Sequence, residues 1–449
     1  MPVCTLHALP YQPDPASWFD LVRHAPGAIL LDSGRPQADR GRYDLVSAWP
    51  MQVLEPVATE TGDAFFARLR DALRSLGDAE APGGIDLPFT GGLLGYLSYD
   101  FGTRLERLPS NAIDDLGLPL ARFGLYGWAL ISDHHHRVTH LVFHPAMDES
   151  ERARLVTLFE TDRQPAQMAF ELTSAFKADL RHDDYRHAIE RIQRYIQAGD
   201  CYQVNFAQRF QASCHGDAWQ AFCDLRSACP TPFAGFMALD DASIVSLSPE
   251  RFMRLTKGTV ETRPIKGTRP RQLDTQSDLA EAEALLASKK DRAENLMIVD
   301  LLRNDLGRSC EIGSVRVPEL FSLETYPNVH HLVSSVSGRL AAGKDALNLL
   351  SGSFPGGSIT GAPKIRSMQI IDELEPTRRS IYCGSLLYLD VRGEMDSSIA
   401  IRTLLIKGDQ VYCWGGGGIV ADSDWQAEYQ ETMDKVSVLL RTLEKTLHR

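Results

Sequence analysis

One short stretch places an amine among positive charges. Lys266 is the single lysine of ETRPIKGTRPR, residues 261–271, where prolines, a glycine and arginines surround it. Neighbouring cations and burial both favour the neutral form of an amine, which is the nucleophilic form. Two interpretations follow: Lys266 is either one more solvated cation on a basic loop or a reactive amine in a closed site.

Two pairs of carboxylates have helical spacing. Asp291 and Glu294 are three residues apart, and Glu428 and Glu431 repeat that spacing, with Lys435 one turn further along the same side. Each pair alone is typical of a solvated helix surface. If the two helices face each other, their carboxylates form an all-oxygen site suited to Mg²⁺.

Further polar signals lie in glycine-rich and apolar stretches. Gly415–Gly418 follow a predicted strand, which indicates either a bulge or turn, or backbone N–H groups held close to an anion. FPGGSITGAPKIR, residues 354–366, is similar in kind, with Thr360 before a helix start. Arg402 lies in a predicted apolar strand, so its charge needs a partner, which is either a structural acid or a bound carboxylate.

Composition limits the classes of function. The 449 residues are 43% hydrophobic and 24% charged, as in ordinary globular proteins, and the net charge of −12 argues against general nucleic-acid or anionic-membrane binding. No apolar run reaches the roughly 20 residues that span a bilayer, and no signal peptide is evident. The eight cysteines form no CxxC pair. We expect a soluble cytoplasmic protein with reduced thiols.

The elements that must position these residues are mixed in type. We predict a leading region over 1–145, a polar linker over 146–180 and a second region over 181–449 that opens with an amphipathic helix. A single long helix is predicted over 276–306. Because strands mostly follow strands, the pattern favours an α+β fold over a doubly wound parallel sheet.

A series of stretches between about residue 180 and residue 437 resembles, in order, the motifs of the chorismate-utilising enzymes. This family includes the anthranilate, isochorismate and salicylate synthases and members that aminate C4 of chorismate. The stretches are AGDCYQVNFAQRF, SLSPERF, ETRPIKGTRPR, AENLMIVDLLRNDLGR, YPNVHHLVSSVSG, FPGGSITGAPKIRSMQIIDELE, IYCGSLLYL, SSIAIRTLL and GGGGIVADS…EYQETMDK. The resemblance implies an anthranilate synthase-like layered sandwich of two sheet-and-helix lobes, with the active site in the cleft between them.

The resemblance also implies a reaction. Anthranilate synthases have alanine where this chain has Lys266, whereas the C4-aminating members have lysine. The Lys266 amine would attack C2 of chorismate as the C4 hydroxyl leaves, and ammonia would then add at C4 and expel the lysine. The product would be 4-amino-4-deoxychorismate, for 4-aminobenzoate and folate synthesis. The large component of anthranilate synthase remains the alternative, and a pyridoxal phosphate Schiff base on Lys266 or a non-catalytic chorismate-binding partner also stays open.

Individual residues match family positions with assigned roles. Glu250 matches the general acid that protonates the departing hydroxyl, and Gln203 stands where the water-adding relatives have a lysine base, which disfavours isochorismate synthesis. Further matches are the Mg²⁺ ligands Glu294 and Glu431 with Asp291 and Glu428 nearby, the carboxylate contacts Tyr382, Arg402, Lys435 and the amides of Gly416 and Gly418, and His331 and Thr360 near the C4 end.

Two partners are implied by the resemblance. The chain has no cysteine in the GxCxG setting of a glutaminase, so a separate glutamine amidotransferase subunit would supply ammonia. LLDSG, residues 30–34, matches an element that binds tryptophan in relatives, either as an inhibitor or as a structural ligand. We carry Ser33 over to that role.

Overall fold

The computed structural model describes residues 2–37, 41–161, 168–272, 274–325 and 329–448. The helices are α1 Ala16–Asp20, α2 Gly62–Leu76, α3 Gly102–Leu105, α4 Glu149–Glu160, α5 His182–Gln197, α6 Ala218–Ala228, α7 Thr275–Ala287, α8 Lys289–Gly307, α9 Ala346–Ser353, α10 Lys364–Leu374 and α11 Trp425–Glu444. Short 3₁₀ turns are Tyr99–Phe101, Gly357–Ile359 and Lys445–His448.

The strands are β1 Thr5–Leu9, β2 Ile29–Asp32, β3 Tyr43–Ser47, β4 Gln52–Leu54, β5 Gly92–Leu97, β6 Ala121–Tyr126, β7 Trp128–Asp133, β8 Val138–Phe143, β9 Phe170–Leu172, β10 Lys177–Ala178, β11 Gln203–Gly216, β12 Phe233–Ala238, β13 Ala242–Ser248, β14 Arg251–Thr256, β15 Thr259–Thr262, β16 Ile265–Pro270, β17 Arg316–Thr325, β18 Val329–Arg339, β19 Gly361–Ala362, β20 Ser385–Asp390, β21 Met395–Ser398, β22 Thr403–Lys407 and β23 Gln410–Ile419.

Two antiparallel sheets organise the described residues. The first follows the order β1-β8-β7-β3-β2-β12-β13-β22-β23-β11-β10, with β9 and β19 also pairing with β11. The second follows β16-β18-β15-β14-β21-β20-β5-β6-β4, with β17 also pairing with β18. Together with the helices these sheets confirm the predicted α+β class.

The alternation of side chains along each strand divides the core. Ile29 and Leu45 of the first sheet belong to a buried apolar cluster that also contains Leu94 of the second sheet, so this cluster joins the two sheets. Their neighbours Leu30 and Val46 belong to a second cluster, which packs against α6 and α11. The first sheet is therefore buried on both faces.

The leading region contributes strands to both sheets, since β2 pairs with β12 and β5 pairs with β20. The stretch 146–180, predicted as a linker, contains α4, β9 and β10, and its residues 162–167 lie outside the described residues. Leu155 and Phe159 of α4 are buried, because the helix packs them into the second apolar cluster. The boundaries 1–145, 146–180 and 181–449 stay a prediction.

The single helix predicted over 276–306 is wrong, since α7 and α8 are separate. Ser288 ends α7 with an extended backbone, and its hydroxyl accepts the amide of Asp291 as the N-cap of α8. The break starts α8 at Lys289, two residues before Asp291. In the described residues, no helix is both long enough and apolar enough to cross a membrane.

Candidate active site

Lys266 lies on β16, which pairs with β18 and packs against α8. Its amine donates a hydrogen bond of 3.1 Å to the carbonyl oxygen of Ser358. Burial lowers the pKa of Lys266; the carboxylate of Glu294 opposes this effect and the ammonium of Lys435 adds to it. Lys266 is half-buried rather than fully solvated, and the reactive role of its amine stays a prediction.

Glu250 follows β13 and is buried. Its Oε1 accepts a hydrogen bond of 3.1 Å from the hydroxyl of Ser358. Burial raises the pKa of Glu250 from 4.5 to about 7, although the positive charge of Lys266 and the Ser358 hydrogen bond favour the carboxylate. A carboxyl group with this pKa holds a proton in a substantial fraction of molecules near neutral pH, as a general acid requires.

The acidic faces of α8 and α11 are neighbours. Lys290 at the start of α8 places Nζ 3.8 Å from Oε1 of Glu428 on α11. Burial raises the pKa of Glu294, and the negative charges of Glu431 and Asp291 add to the rise. Glu294 and Glu431 also both act on the charge of Lys266. The fold thus brings the acidic faces of the two helices within electrostatic range of each other.

These acids are partly engaged with cations of the chain. Lys435 pairs with Glu431 at 2.7 Å, and Arg269 pairs with Asp291 at 3.2 Å. Burial would raise the pKa of Glu431, but Lys435 holds it below its usual value. No three His, Cys, Asp or Glu side chains of the described ranges are close enough together to hold a metal ion.

The donor set nevertheless suits a hard cation. All candidate ligands are carboxylate oxygens, which Mg²⁺ prefers. Burial raises the pKa of Glu428, and the charge of Glu431 raises it further, so these two carboxylates of α11 repel each other. A divalent cation would relieve that repulsion, and the residues therefore fit Mg²⁺.

The glycine run is part of a strand, which corrects its predicted place after one. Gly415–Gly418 lie inside β23, and a Cβ on Gly416 would meet the Phe206 carbonyl oxygen at 2.6 Å. Close packing against β11 therefore requires glycine at position 416. The run is neither a turn nor a loop.

The backbone groups of Gly416 and Gly418 point away from β11. The amides of their partners Ala207 and Asn205 donate elsewhere, to Glu375 and to the Thr360 carbonyl oxygen. Both are therefore non-hydrogen-bonded pairs of the antiparallel ladder. The Gly416 carbonyl oxygen accepts from Lys435 instead, at 2.9 Å. Because β22 pairs with β23 only up to Cys413, no strand of the described residues covers this edge.

Two further predicted contact residues lie around this edge. Tyr382 is buried and stacks on Trp414, with ring centroids 6.1 Å apart. Arg402 was predicted to lie inside a strand, and this is wrong. It immediately precedes β22, with φ +49°. Its guanidinium donates a hydrogen bond of 3.7 Å to the sulfur of Cys229. This contact is with a thiol and not with the structural acid that was one of the two predicted partners.

His331 and Thr360 are both buried. Burial lowers the pKa of His331 to about 4, and the charge of Arg402 adds to this effect, so the imidazole is neutral at pH 7. Its Nδ1 lies 2.9 Å from the Thr268 hydroxyl, two residues from Lys266. The Thr360 hydroxyl donates to the Gly356 carbonyl oxygen at 3.0 Å, within the loop that carries Ser358.

Two residues at the site escaped the sequence analysis. Ser358 contacts both Lys266 and Glu250. Arg379, fully buried, donates to Glu375 and to the carbonyl oxygens of Ile359 and Asn205. In the sequence, Arg379 is marked only by its position between the motifs FPGGSITGAPKIRSMQIIDELE and IYCGSLLYL. Its hydrogen-bond partners come together only in the folded chain.

Ser33 belongs to a different cluster. Its amide and hydroxyl donate to Oδ1 of Asp44 at 2.8 and 2.7 Å, and Oδ2 of Asp44 contacts His134 at 2.7 Å. His134 is buried, whereas its neighbours His135 and His136 are exposed. These hydrogen bonds connect Ser33 to Asp44 and not to Lys266, Glu250 or the acids of α8 and α11.

The chain matches a known family over most of its length. Residues 28–441 match the chorismate binding enzyme family, and the chain belongs to that family. It is 48% identical to aminodeoxychorismate synthase component 1 of Salmonella typhimurium over 98% of both chains, and 47% identical to the protein of that name from Escherichia coli, over 95% of this chain and 96% of that one. The fold is similar to the crystal structure of anthranilate synthase component I from Streptococcus pneumoniae, with a TM-score of 0.78, 30% identity and coverage of 90% of this chain and 93% of that one.

Proposed function

We propose that this chain is an enzyme that converts chorismate and ammonia to 4-amino-4-deoxychorismate. Two relatives at 47–48% identity over nearly the whole chain carry the name of that synthase component. The observation that carries the proposal is the amine of Lys266, half-buried, hydrogen-bonded to Ser358 and within the electrostatic reach of Glu250 and Glu294.

The first step forms a bond between Lys266 and chorismate. The neutral amine attacks C2, the electrons of the ring diene shift, and the C4–O bond breaks. Glu250 supplies its proton to the departing oxygen, so that water leaves rather than hydroxide. The C2-bound nitrogen then loses one proton, and a secondary amine links Lys266 to the ring.

The second step reverses the attachment. Ammonia adds at C4, the double bonds shift back, and the C2–N bond breaks as the proton released by the added nitrogen passes to the Lys266 nitrogen. The enolpyruvyl side chain stays on the product. Covalent attachment divides one difficult displacement into two easier ones.

Chorismate carries two carboxylates, and the open edge of β23 supplies donors for them. We infer that the amides of Gly416 and Gly418, with Lys435 beside them, hold one carboxylate. Arg402 and Tyr382 complete the carboxylate contacts. His331, neutral at pH 7, and Thr360 lie toward the C4 end.

We infer that Glu294 and Glu431 hold Mg²⁺, with Asp291 and Glu428 nearby. Mg²⁺ bound there would neutralise the ring carboxylate of chorismate. Lys290 and Lys435 favour the charged forms of Glu428 and Glu431, and Lys435 holds the pKa of Glu431 below its usual value.

We infer two partners. A separate glutamine amidotransferase subunit supplies ammonia, because two relatives are named as component 1 of a synthase. The second partner is tryptophan bound near Ser33, whose hydroxyl donates to Asp44.

The test is product identity. Purified protein with chorismate, Mg²⁺ and ammonium is expected to form 4-amino-4-deoxychorismate, identified by mass spectrometry. K266A is expected to lose this activity. K344A, which removes an exposed lysine of a loop, is the matched control and keeps it. Fluorescent anthranilate as the product of the wild-type protein would contradict the proposal and favour the anthranilate synthase alternative.

A further inference from the structure

Ser358 lies between the nucleophile and the acid. It belongs to the 3₁₀ turn Gly357–Ile359 and is buried. Its carbonyl oxygen accepts the hydrogen bond from Nζ of Lys266, and its hydroxyl donates to Oε1 of Glu250, both at 3.1 Å. One residue thus connects two groups whose proton states must differ during the reaction.

We propose that Ser358 is a positioning residue that aims the Lys266 amine with its carbonyl oxygen and fixes the Glu250 carboxyl group with its hydroxyl. The inference rests on the proposed function, since it concerns the roles of those two groups. Because the hydroxyl donates to Oε1, it holds the Glu250 carboxyl group in one orientation. Because the carbonyl takes one N–H of Lys266, the amine has a defined orientation.

The loop around Ser358 is anchored on both sides. Arg379 donates to the Ile359 carbonyl oxygen at 2.8 Å, and the Thr360 hydroxyl donates to the Gly356 carbonyl oxygen at 3.0 Å. The direction of the Ser358 carbonyl is therefore set by the backbone. Substitution of the side chain leaves that acceptor in place and removes the hydroxyl alone.

The hydroxyl also influences the proton state of Glu250. A donor to a carboxylate favours its charged form, so the Ser358 hydroxyl holds the pKa of Glu250 lower than burial alone would. The other groups that act on Glu250 are Lys266 and the Ile265 amide of β16, and Lys435 of α11. The Cys383 thiol, before β20, also lies within range of its charge.

The test compares S358A, S358T and the wild type in ammonium-dependent turnover across pH 6–9. We expect the alkaline limb of the kcat profile of S358A to move up by about one pH unit, because one hydrogen bond to a charged group is lost. We also expect its maximal kcat to fall about tenfold through lost orientation, with KM for chorismate within about twofold of wild type. S358T keeps a hydroxyl and is expected to restore the wild-type limb.

S353A is the matched control. Ser353 is a buried serine one turn before the loop, and its hydroxyl has no hydrogen-bond partner among the described residues. S353A is expected to keep the wild-type profile. Circular dichroism verifies folding, and S358G removes the same hydroxyl should S358A not fold.

Two outcomes overturn the inference: an S358A limb that coincides with that of the wild type, or an S358T limb and kcat that match those of a defective S358A. Either leaves the proposed function standing if the wild type still forms 4-amino-4-deoxychorismate. Absence of that product from the wild type contradicts the proposed function itself.

Discussion

Replacement of Glu250 by glutamine tests the acid directly. The amide oxygen of glutamine can accept the same hydrogen bond from the Ser358 hydroxyl, but the side chain cannot transfer a proton. The perturbation therefore removes the acid while it keeps the shape and the main polar contact of the site. We expect kcat to fall by about 10²–10⁴ and KM for chorismate to change little.

The net rise of the Glu250 pKa gives the free energy by which the site favours the protonated carboxyl group. A rise of the Glu250 pKa from 4.5 to about 7 corresponds to about 3 kcal/mol in favour of the neutral acid. At pH 7.5 about a quarter of the molecules then carry the proton, against about one in a thousand for an ordinary glutamate. The alkaline limb of the wild-type kcat profile should therefore decline about tenfold per pH unit above pH 7.5.

The assay is initial-rate measurement of 4-amino-4-deoxychorismate at saturating ammonium between pH 6 and 9. E261Q is the matched control, because Glu261 is a partly buried carboxylate of β15 that pairs with Arg254. E261Q should behave as the wild type. The reasoning is refuted if E250Q keeps more than about a tenth of the wild-type kcat, or if it keeps the same alkaline limb.

Three further outcomes follow from the structure. R379M should lower the free energy of unfolding in urea by about 3–5 kcal/mol, because it leaves the charge of the buried Glu375 without its arginine. R378A, at the partly exposed neighbour, should lower it by at most about 1 kcal/mol. Equal losses in the two variants would contradict this. The pKa of Glu250 is higher in the folded protein than in the unfolded chain, so ionisation of Glu250 lowers the stability of the fold as pH rises from 4.5 to 7. E250Q should therefore be more stable than the wild type by up to about 3 kcal/mol at pH 8 and equal to it at pH 4. A stability difference that does not depend on pH would contradict a raised pKa. Mg²⁺ should raise the thermal unfolding midpoint of the wild type but not of E294A, and EDTA should abolish turnover; an equal rise in both proteins would exclude Glu294 as a ligand.

Local sequence patterns predict an element correctly where its apolar residues follow one regular spacing. Tyr185, Ile189 and Ile192 at helical spacing predicted α5, and all three are buried. The helix break at Ser288 was missed, because a serine cap within a polar, helix-favouring stretch gives no contrast in hydrophobic pattern. Arg402 was assigned to a strand from its apolar neighbours, although its positive φ places it before β22.

The site itself was predictable only where the residue type carries the chemistry. Lys266 and Glu294 stand out in the sequence as ionisable groups, whereas Glu250 comes from the family resemblance. The electrostatic contact of all three is a property of the fold. The Ser358 contact with Lys266 uses a backbone carbonyl, which every residue possesses and no pattern marks. Arg379 meets carbonyls of two separate segments, at residues 205 and 359, and such long-range partners leave no local trace.

The most direct measurement is mass spectrometry of the enzyme incubated with chorismate in the absence of ammonia and glutamine. The account predicts that the peptide containing Lys266 gains the mass of chorismate minus water, and that ammonium discharges this adduct as 4-amino-4-deoxychorismate. A Lys266 peptide of unchanged mass, together with sustained product formation by K266A, would contradict it.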